Sequence, residues 1–499
     1  MRKKWGVLEL LGREIHQSWG VVMLAAGIII GAILGIVFRI NYFNSPVWIG
    51  LTVAVFILMY LKPKLLVVGL CLIAGMVLMF FRVAVELSGI EYVQKLHGSS
   101  VVVMGEIEGD AETDEGTTKL KLGGLRFGEE LAKCEGWNAV GIEARGSIYV
   151  SLNKNEDLRR GDKLILGGKM SEGFGTYAGY MYRPKILKVL KPEPGNIVVR
   201  VRDFFAERIK KVVPELEANL GLSYLLGMKT GLDKELSDNL RMVGLTHIVV
   251  ASGAHLSILV EIARKIFGRI SRFAGLMFSI VFILFFMCMV GWTPSILRAG
   301  MMAILTLVSW YVGRKIAPLR LIVMVAATTL LINPMFLLNM GWLLSFASYA
   351  GIMLLGPSIT RFFYGEKKPG FLASVILTTL AATLMTLPII LYYYGQVSLI
   401  SVVANLLILP TLPYAMGLVF VAGVFSGVPF AETVIGFVVT KMLDYHILVV
   451  EWFGKMEQFL VTIEPYEPRV FLMYVPIAIV MILVFVWKRR GRSRGWKIA

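Results

Sequence analysis

Residues 273–292 read FAGLMFSIVFILFFMCMVGW, without a single charged side chain. At 1.5 Å per residue a helix of this length reaches about 30 Å, the thickness of a bilayer's hydrocarbon core. Backbone N–H and C=O groups find no water there, so such a run satisfies them only as a helix. Comparable runs lie at about 20–38, 47–61, 64–83, 243–262, 295–312, 319–333, 336–355, 371–393 and 470–487. The 499-residue chain is 57% hydrophobic and 17% charged with a mean hydropathy of +0.71, which excludes a soluble globular fold. The sequence predicts a polytopic α-helical membrane protein of about 10–12 spans.

A formal charge of +17 invites a nucleic-acid reading, but Lys and Arg also gather on the cytoplasmic side of membrane proteins. Both ends are basic (Arg2, Lys3, Lys4 and Arg13; Lys488, Arg489, Arg490, Arg492, Arg494 and Lys497) and are expected in the cytoplasm. The first apolar run lacks a small-residue cleavage site and reads as a retained span. Cys71, Cys134 and Cys288 provide neither a disulfide framework nor a CxxC metal knuckle. No cofactor or metal is expected.

The segments differ in kind. Residues 1–85 hold N-terminal spans, and three crossings from inside place the next segment, 86–195, outside. That segment alternates apolar and polar residues over 101–107, 118–122, 146–152 and 163–168, with glycine-rich punctuation, and reads as a small OB-like β-barrel. It carries 17 acidic and 15 basic residues, so the basic excess lies elsewhere. Residues 196–240 read as an amphipathic interfacial helix, ended near Pro214, and a linker. Residues 241–488 form the main bundle and 489–499 a basic tail. Basic clusters at Arg264/Lys265/Arg269/Arg272, Arg314/Lys315 and Arg361/Lys367/Lys368 follow alternate spans, as the positive-inside rule requires. The stretch 397–426, interrupted by Pro410 and Pro413, predicts a broken or re-entrant element, and 430–459 is expected outside the membrane or lining the bundle.

Chemistry concentrates at Gly227-Met228-Lys229-Thr230-Gly231 and at Gly244-Leu245-Thr246-His247, followed after four intervening residues by Ser252-Gly253-Ala254-His255. Polar groups at membrane depth need partners or a wet path. Taken singly, Gly253 permits close helix packing and His247 caps a helix; clustered, they favour a pore or site. Walker A needs Gly-Lys-Ser/Thr contiguous, and Met228 intervenes here. Ser252 and His255 share a helical face, yet no GxSG-type elbow accompanies them. Arg298, beside Pro294-Ser295, is either a phosphate ligand or an interfacial anchor. Ser345, Gln396 and Asn405, with the Thr379, Thr383 and Thr386 stripe, complete the polar groups of the path, while Trp292, Trp310 and Trp342 suit interfacial belts or packing.

The run Gly244–His255 resembles the Gly-Leu-x-His-(x)4-Ser-Gly-x-His signature of the ComEC/Rec2 family of DNA-uptake channels. Pro294-Ser295-Ile296-Leu297-Arg298-Ala299, Asn333-Pro334 and Gly341-Trp342-Leu343-Leu344-Ser345-Phe346 are similar to later family motifs, with departures at Asn333, Trp342 and Leu343. Leu387-Pro388, Tyr394 to Ser398 and Ala404 to Pro410 continue the resemblance through about 220–425. The resemblance implies a competence channel in a bacterial inner membrane, not an enzyme, that passes single-stranded DNA inward during transformation. His247, Ser252, Gly253, His255, Arg298, Ser345, Gln396 and Asn405 would line its path. Gly227, Gly231, Gly244, Pro294, Gly341, Pro388 and Pro410 would shape the backbone. It also implies an external DNA receptor, a cytoplasmic helicase-like ATPase and single-strand-binding proteins. Many members continue into a metallo-β-lactamase-like domain with an HxHxDH motif; no His-x-His occurs here, so a separate nuclease is expected. The alternatives are an exporter or flippase of a lipid-linked polymer and an intramembrane serine hydrolase.

The inferred sidedness has a direct check. With the native cysteines replaced by serine, a membrane-impermeant maleimide should label Lys119→Cys in intact cells and Lys367→Cys only after permeabilisation.

Overall fold

A computed structural model describes residues 18–38, 50, 63–109, 112–114, 117–128, 142–153, 158–174, 176–191, 197–228, 231–249, 253, 255–256, 260, 264–265, 267–314, 316–365, 367–466 and 468–475. Ser252, the basic termini, nearly all of 47–61 and most of 470–487 lie outside the described residues. Seven described helices are long and apolar enough to cross a bilayer, or eight counting one bent pair.

The first two described helices, α1 (Ser18–Val37) and α2 (Pro63–Lys95), pack as a parallel pair, Gly27 against Leu72, Gly31 against Met76 and Gly35 against Val83. Glycines allow their backbones to touch: a Cβ at Gly27 would collide with the Leu72 carbonyl oxygen, and one at Gly75 with that of Leu24. This is the small-residue contact expected where lipid supplies no hydrophobic drive between helices. Helix α2 is 33 residues, about 50 Å, and outlasts any bilayer core. Its last turns carry Ile90, Tyr92 and the fully buried Val93 into the core of the β-domain.

Eight strands follow: β1 (Ser100–Ile107), β2 (Glu112–Asp114), β3 (Thr117–Gly128), β4 (Ile142–Ala144), β5 (Ile148–Leu152), β6 (Lys163–Glu172), β7 (Gly179–Tyr182) and β8 (Lys185–Leu190). Pairing runs β1-β3-β5-β7-β6, and β6 returns to β1, which closes a five-stranded barrel. All its pairs are antiparallel except β5–β7. Closure removes the exposed edges, and buried and outward residues alternate along β3 over 117–122 and again over 124–127, with a change of phase at Gly123–Gly124. Leu120, Leu122, Ile148, Val150, Leu164, Leu166, Met170 and Met181 fill the interior.

Helices α3 (Ile197–Val212) and α4 (Glu215–Leu226) are separated by Pro214, then come α5 (Lys234–Met242) and the single turn α6 (Thr246–Val249). The membrane bundle continues with α7 (Arg272–Val290), α8 (Pro294–Val312), α9 (Pro318–Ile332), α10 (Met340–Leu354), α11 (Gly356–Tyr364), α12 (Phe371–Tyr394), α13 (Ser401–Ile408), α14 (Leu412–Phe425) and α15 (Pro429–Gly454). At 15 residues α9 is shorter than the spans around it. The pair α13–α14 bends by 48° at Pro410, matching the broken element expected there. Of the two expectations for residues 430–459, outside the membrane or lining the bundle, the packing of α15 agrees with the second. Helix α15 is long and apolar enough to be a span; along it Lys441 pairs with Asp444 at 2.9 Å, and His446 and the apolar residues around it are buried. Strand β9 (Gln396–Ser398) pairs antiparallel with β10 (Leu460–Thr462), Gln396 opposite Thr462, so the chain after α15 folds back onto the end of α12.

Two anchors join the parts. Arg82 on α2 donates to the carbonyls of Leu331 (3.1 Å) and Ile332 (2.8 Å), the orphan acceptors at the end of α9, and is itself held by Glu86 at 2.8 Å. On the barrel, Arg159 pairs with Asp203 of α3 at 3.3 Å, and the Arg160 guanidinium lies over Gly291, where a Cβ would be 2.6 Å from Nη1. Gly291 has φ +112°, so only glycine suits that turn.

Because Val93 is shared between α2 and the barrel, Val93→Asp should place an unpaired charge in the barrel core. The barrel should become protease-sensitive in isolated membranes at unchanged total membrane level; limited proteolysis reads this directly.

Candidate functional site

Four sequence-distant residues, Gly253, Ser345, Phe346 and Tyr349, meet around Arg298. Pro294 starts α8 at a position where the missing N–H costs nothing, and Arg298 follows one turn later. Its Nε donates to Ser345 Oγ of α10 at 2.5 Å, and Nη1 lies 3.3 Å from Met302 Sδ. The guanidinium carbon is 5.7 Å from the centre of the Tyr349 ring and 5.9 Å from that of Phe346. Gly253 closes the other side: a Cβ there would stand 3.1 Å from Arg298 Nη2 and 3.2 Å from the Ala299 methyl. Among the described residues no carboxylate oxygen comes within 4.0 Å of this guanidinium. The cation is thus held by a hydroxyl, a thioether and ring faces, none of which neutralises it.

The same two helices are pinned one turn away, where Ser295 Oγ donates to the Gly341 carbonyl at 3.1 Å. Asn339 caps α10 by accepting from Trp342 N, and Trp342 is buried with its Nε1 donating to Thr329 Oγ1 at 3.0 Å. Gly341 and Ser345 therefore serve the contact of α10 with α8, and Trp342 that of α10 with α9. Trp310 instead lies under Arg264 and Arg272, and Trp292 is exposed.

The other sequence-selected residues separate into distinct places. His255 is fully buried, whereas His247 is exposed and its Nδ1 lies 3.1 Å from the Gly244 carbonyl, a local capping contact. Gly244, at φ +75°, rests against Ser401 at the start of α13. Gly227 ends α4 in the left-handed conformation, and Gly231 accepts a 2.6 Å bond from the buried Asn219 amide. Asn405 is buried in the core shared by α4, α13, α14 and α15, its Oδ1 without a hydrogen-bond partner. Gln396 is half-buried in the β9–β10 ladder. Within α12, Pro388 removes a helix donor; Thr386 Oγ1 turns back to Ala382 (3.0 Å), and the Tyr474 hydroxyl donates to the Met385 carbonyl at 2.8 Å.

Sequence reasoning missed two participants as site residues. Tyr349 reaches Arg298 because it stands four residues after Ser345 on the same helical face, a spacing that signals it. His446 is fully buried, with Nε2 2.8 Å from Thr411 Oγ1 at the α13–α14 break and Nδ1 without a hydrogen-bond partner. No local pattern announced that contact, since 35 residues separate the two.

With this geometry in place, a family model described as Competence protein matches residues 224–490, more than half of the chain. The chain belongs to this family, of the ComEC type. ComE operon protein 3 of Bacillus subtilis (strain 168) is 27% identical over 216 residues, which cover 42% of this chain and 27% of that protein. An uncharacterized protein of Aquifex aeolicus (strain VF5) is 30% identical over 167 residues, 33% of this chain and 39% of its own length. The chain thus matches well under half the length of either relative. No solved structure matches it. The competence protein carries its apolar helices as a multi-pass membrane protein.

The Arg298–Ser345 contact has a measurable energy. In a double-mutant cycle of Arg298→Ala and Ser345→Ala, thermal unfolding in detergent should show coupling of about 1.5–3 kcal/mol, the range for hydrogen bonds to charged groups. Gly253→Val should lower stability by displacing the guanidinium.

Proposed function

We propose that this protein is a membrane channel that passes single-stranded DNA into the bacterial cytoplasm. The observation that carries this reading is Arg298, a guanidinium inside the apolar bundle with hydroxyl and ring contacts but no carboxylate within 4.0 Å among the described residues. A charge at membrane depth costs at least about 2.5–3.5 kcal/mol even on the lenient insertion scale. A phosphodiester passing Arg298 would receive two parallel N–H bonds and neutralise it. Gly253 and Ser345 hold it in place, and His255, Gln396 and Asn405 are the further polar groups of the proposed path. Ser252, from the same motif, belongs to this proposal on sequence alone. The family membership and the name of the Bacillus relative favour a role in DNA uptake.

The barrel fits the first encounter. Counting its closed strands in chain order gives 1-2-3-5-4-1 with one parallel pair, the plan of an OB-like barrel, whose strands 2 and 3 face oligonucleotides. On the outward face of β3, β5 and β7, Lys121 stands opposite Tyr149 and Tyr149 opposite Tyr180; Lys119 stands opposite Ser151 and Ser151 opposite Tyr182. Tyr149, Phe174, Tyr177 and Tyr180 form one continuous ring cluster with centres 5.2–6.0 Å apart. Arg183 stacks 4.9 Å from the Tyr182 ring at φ 48°, a conformation rare outside glycine. Ring faces for bases and cations for phosphates make a single-strand platform despite the domain's balanced total charge. Both termini are assigned to the cytoplasm and the barrel to the outside. No catalytic residue is assigned. The proposed partners are an external DNA receptor, a separate nuclease, a cytoplasmic helicase-like ATPase and single-strand-binding proteins.

Labelled DNA uptake tests the channel in cells with the deletion, wild type, Arg298→Lys or Arg298→Ala at equal membrane levels. Both substitutions should cut internalisation by at least about tenfold with surface binding retained, because lysine keeps the charge but loses the bidentate fork. Intact uptake in the deletion, with altered surface polymers, would point to a flippase instead. On the purified full chain, Tyr149→Ala with Tyr180→Ala should weaken oligonucleotide binding by about 1–3 kcal/mol per base unstacked.

A further inference from the structure

Helices α10 and α12 are in backbone contact at Gly351, where a Cβ would collide with the Ala381 carbonyl oxygen. Beyond that contact α10 gives way to α11 at Leu355, and Gly365, at φ +62°, turns the chain back toward α12. A cavity of about 550 Å³ opens between these ends. Its lining includes Arg361, Lys367, Lys368, Thr360, Thr378 and Ile352. The segment 361–368 carries three cations against one acidic residue, Glu366. Around the cavity the surface is apolar and unpartnered: Phe362 is 83% exposed, Phe363 63%, Phe371 70% and Leu372 60%. Phe362 and Phe363 stand at the end of a 25-residue candidate span and Phe371 and Leu372 at the start of the next, the positions at which a membrane helix meets headgroups.

We propose that this cavity seats the headgroup of an anionic phospholipid. The ligand chemistry follows from the two halves of the site. Cations and hydroxyls around a volume typical of small-ligand pockets suit a phosphodiester, and basic pockets at the ends of membrane helices bind such headgroups. The exposed phenylalanines suit the acyl chains below it, whereas a free phosphate or a soluble polyanion gains nothing from an apolar rim. The bound lipid would wedge α11 against α12 just beyond the Gly351 contact. This inference does not rest on DNA passage, so either reading can fail alone.

The full-length chain, purified in mild detergent, is incubated with phosphatidylglycerol or phosphatidylcholine, and retained lipid is counted by native mass spectrometry. Phosphatidylglycerol should be retained at least about tenfold better. The preference should vanish in R361Q/K367Q/K368Q and also in Ile352→Trp, which fills the cavity without changing charge. Equal retention of the two lipids, or an unchanged preference in either variant, overturns the proposal. So does full displacement by inorganic phosphate or by an oligonucleotide at equal phosphate concentration. Should a variant fail to fold, photo-crosslinking decides on the wild type. A diazirine-bearing phosphatidylglycerol should mark residues between 352 and 378, and exclusive marking elsewhere refutes the site.

Discussion

A guanidinium inside an apolar helix bundle must be held, because neither lipid nor packed side chains replace the water it has lost. In this protein Arg298 is held by donation to Ser345, by the ring faces of Tyr349 and Phe346, and by the close approach of Gly253. The supports come from α10 and from the 244–255 motif, so the arginine sets how α8, α10 and that motif meet. Ser295 and Gly341 repeat the α8–α10 contact one turn away, which fixes rotation as well as distance. A bonded arginine with no carboxylate beside it among the described residues keeps its charge for a visiting anion, and this links the packing to the proposed passage of a phosphodiester strand.

The barrel is built into the membrane part. Helix α2 runs through the N-terminal pair and ends inside the barrel core at Val93, so one rigid rod belongs to both. Arg82 on that rod takes the last carbonyls of α9, and Arg160 lies on Gly291 just before α8 begins. The barrel is therefore fastened to the same loop that leads into Arg298. In the proposed function, an aromatic and basic outer face and a buried cation become successive stations on one covalently continuous frame.

Helix breaks supply the remaining polar character. Backbone groups released by Pro388 and Pro410 would be costly in lipid, and each break has a compensating hydroxyl nearby, Tyr474 at the first and Thr411 at the second. His446 joins Thr411 to α15, which is why a helix with Lys441, Asp444 and Glu451 on its surface still packs into the bundle. The end of α11 is a different kind of break, where cations and exposed rings stand together and an anionic lipid is the proposed partner.

Much of this architecture was legible in the chain itself, for physical reasons. Twenty uncharged residues leave a helix no alternative in lipid, period-2 alternation marks a barrel wall, and Pro410 marks a break, because each of these is a local constraint. The motif residues Gly253, Arg298 and Ser345 were each legible as unusual, and the family resemblance joined them in one expectation. What lies between them was not legible. Tertiary structure decided that Arg298 bonds Ser345, that His247 caps locally while His255 is buried, that His446 of α15 meets Thr411, and that Tyr149 and Tyr180 align across a parallel strand pair. Those outcomes depend on which faces meet across tens or hundreds of residues, and a chain's local periodicity carries the face of an element but not the identity of its neighbour.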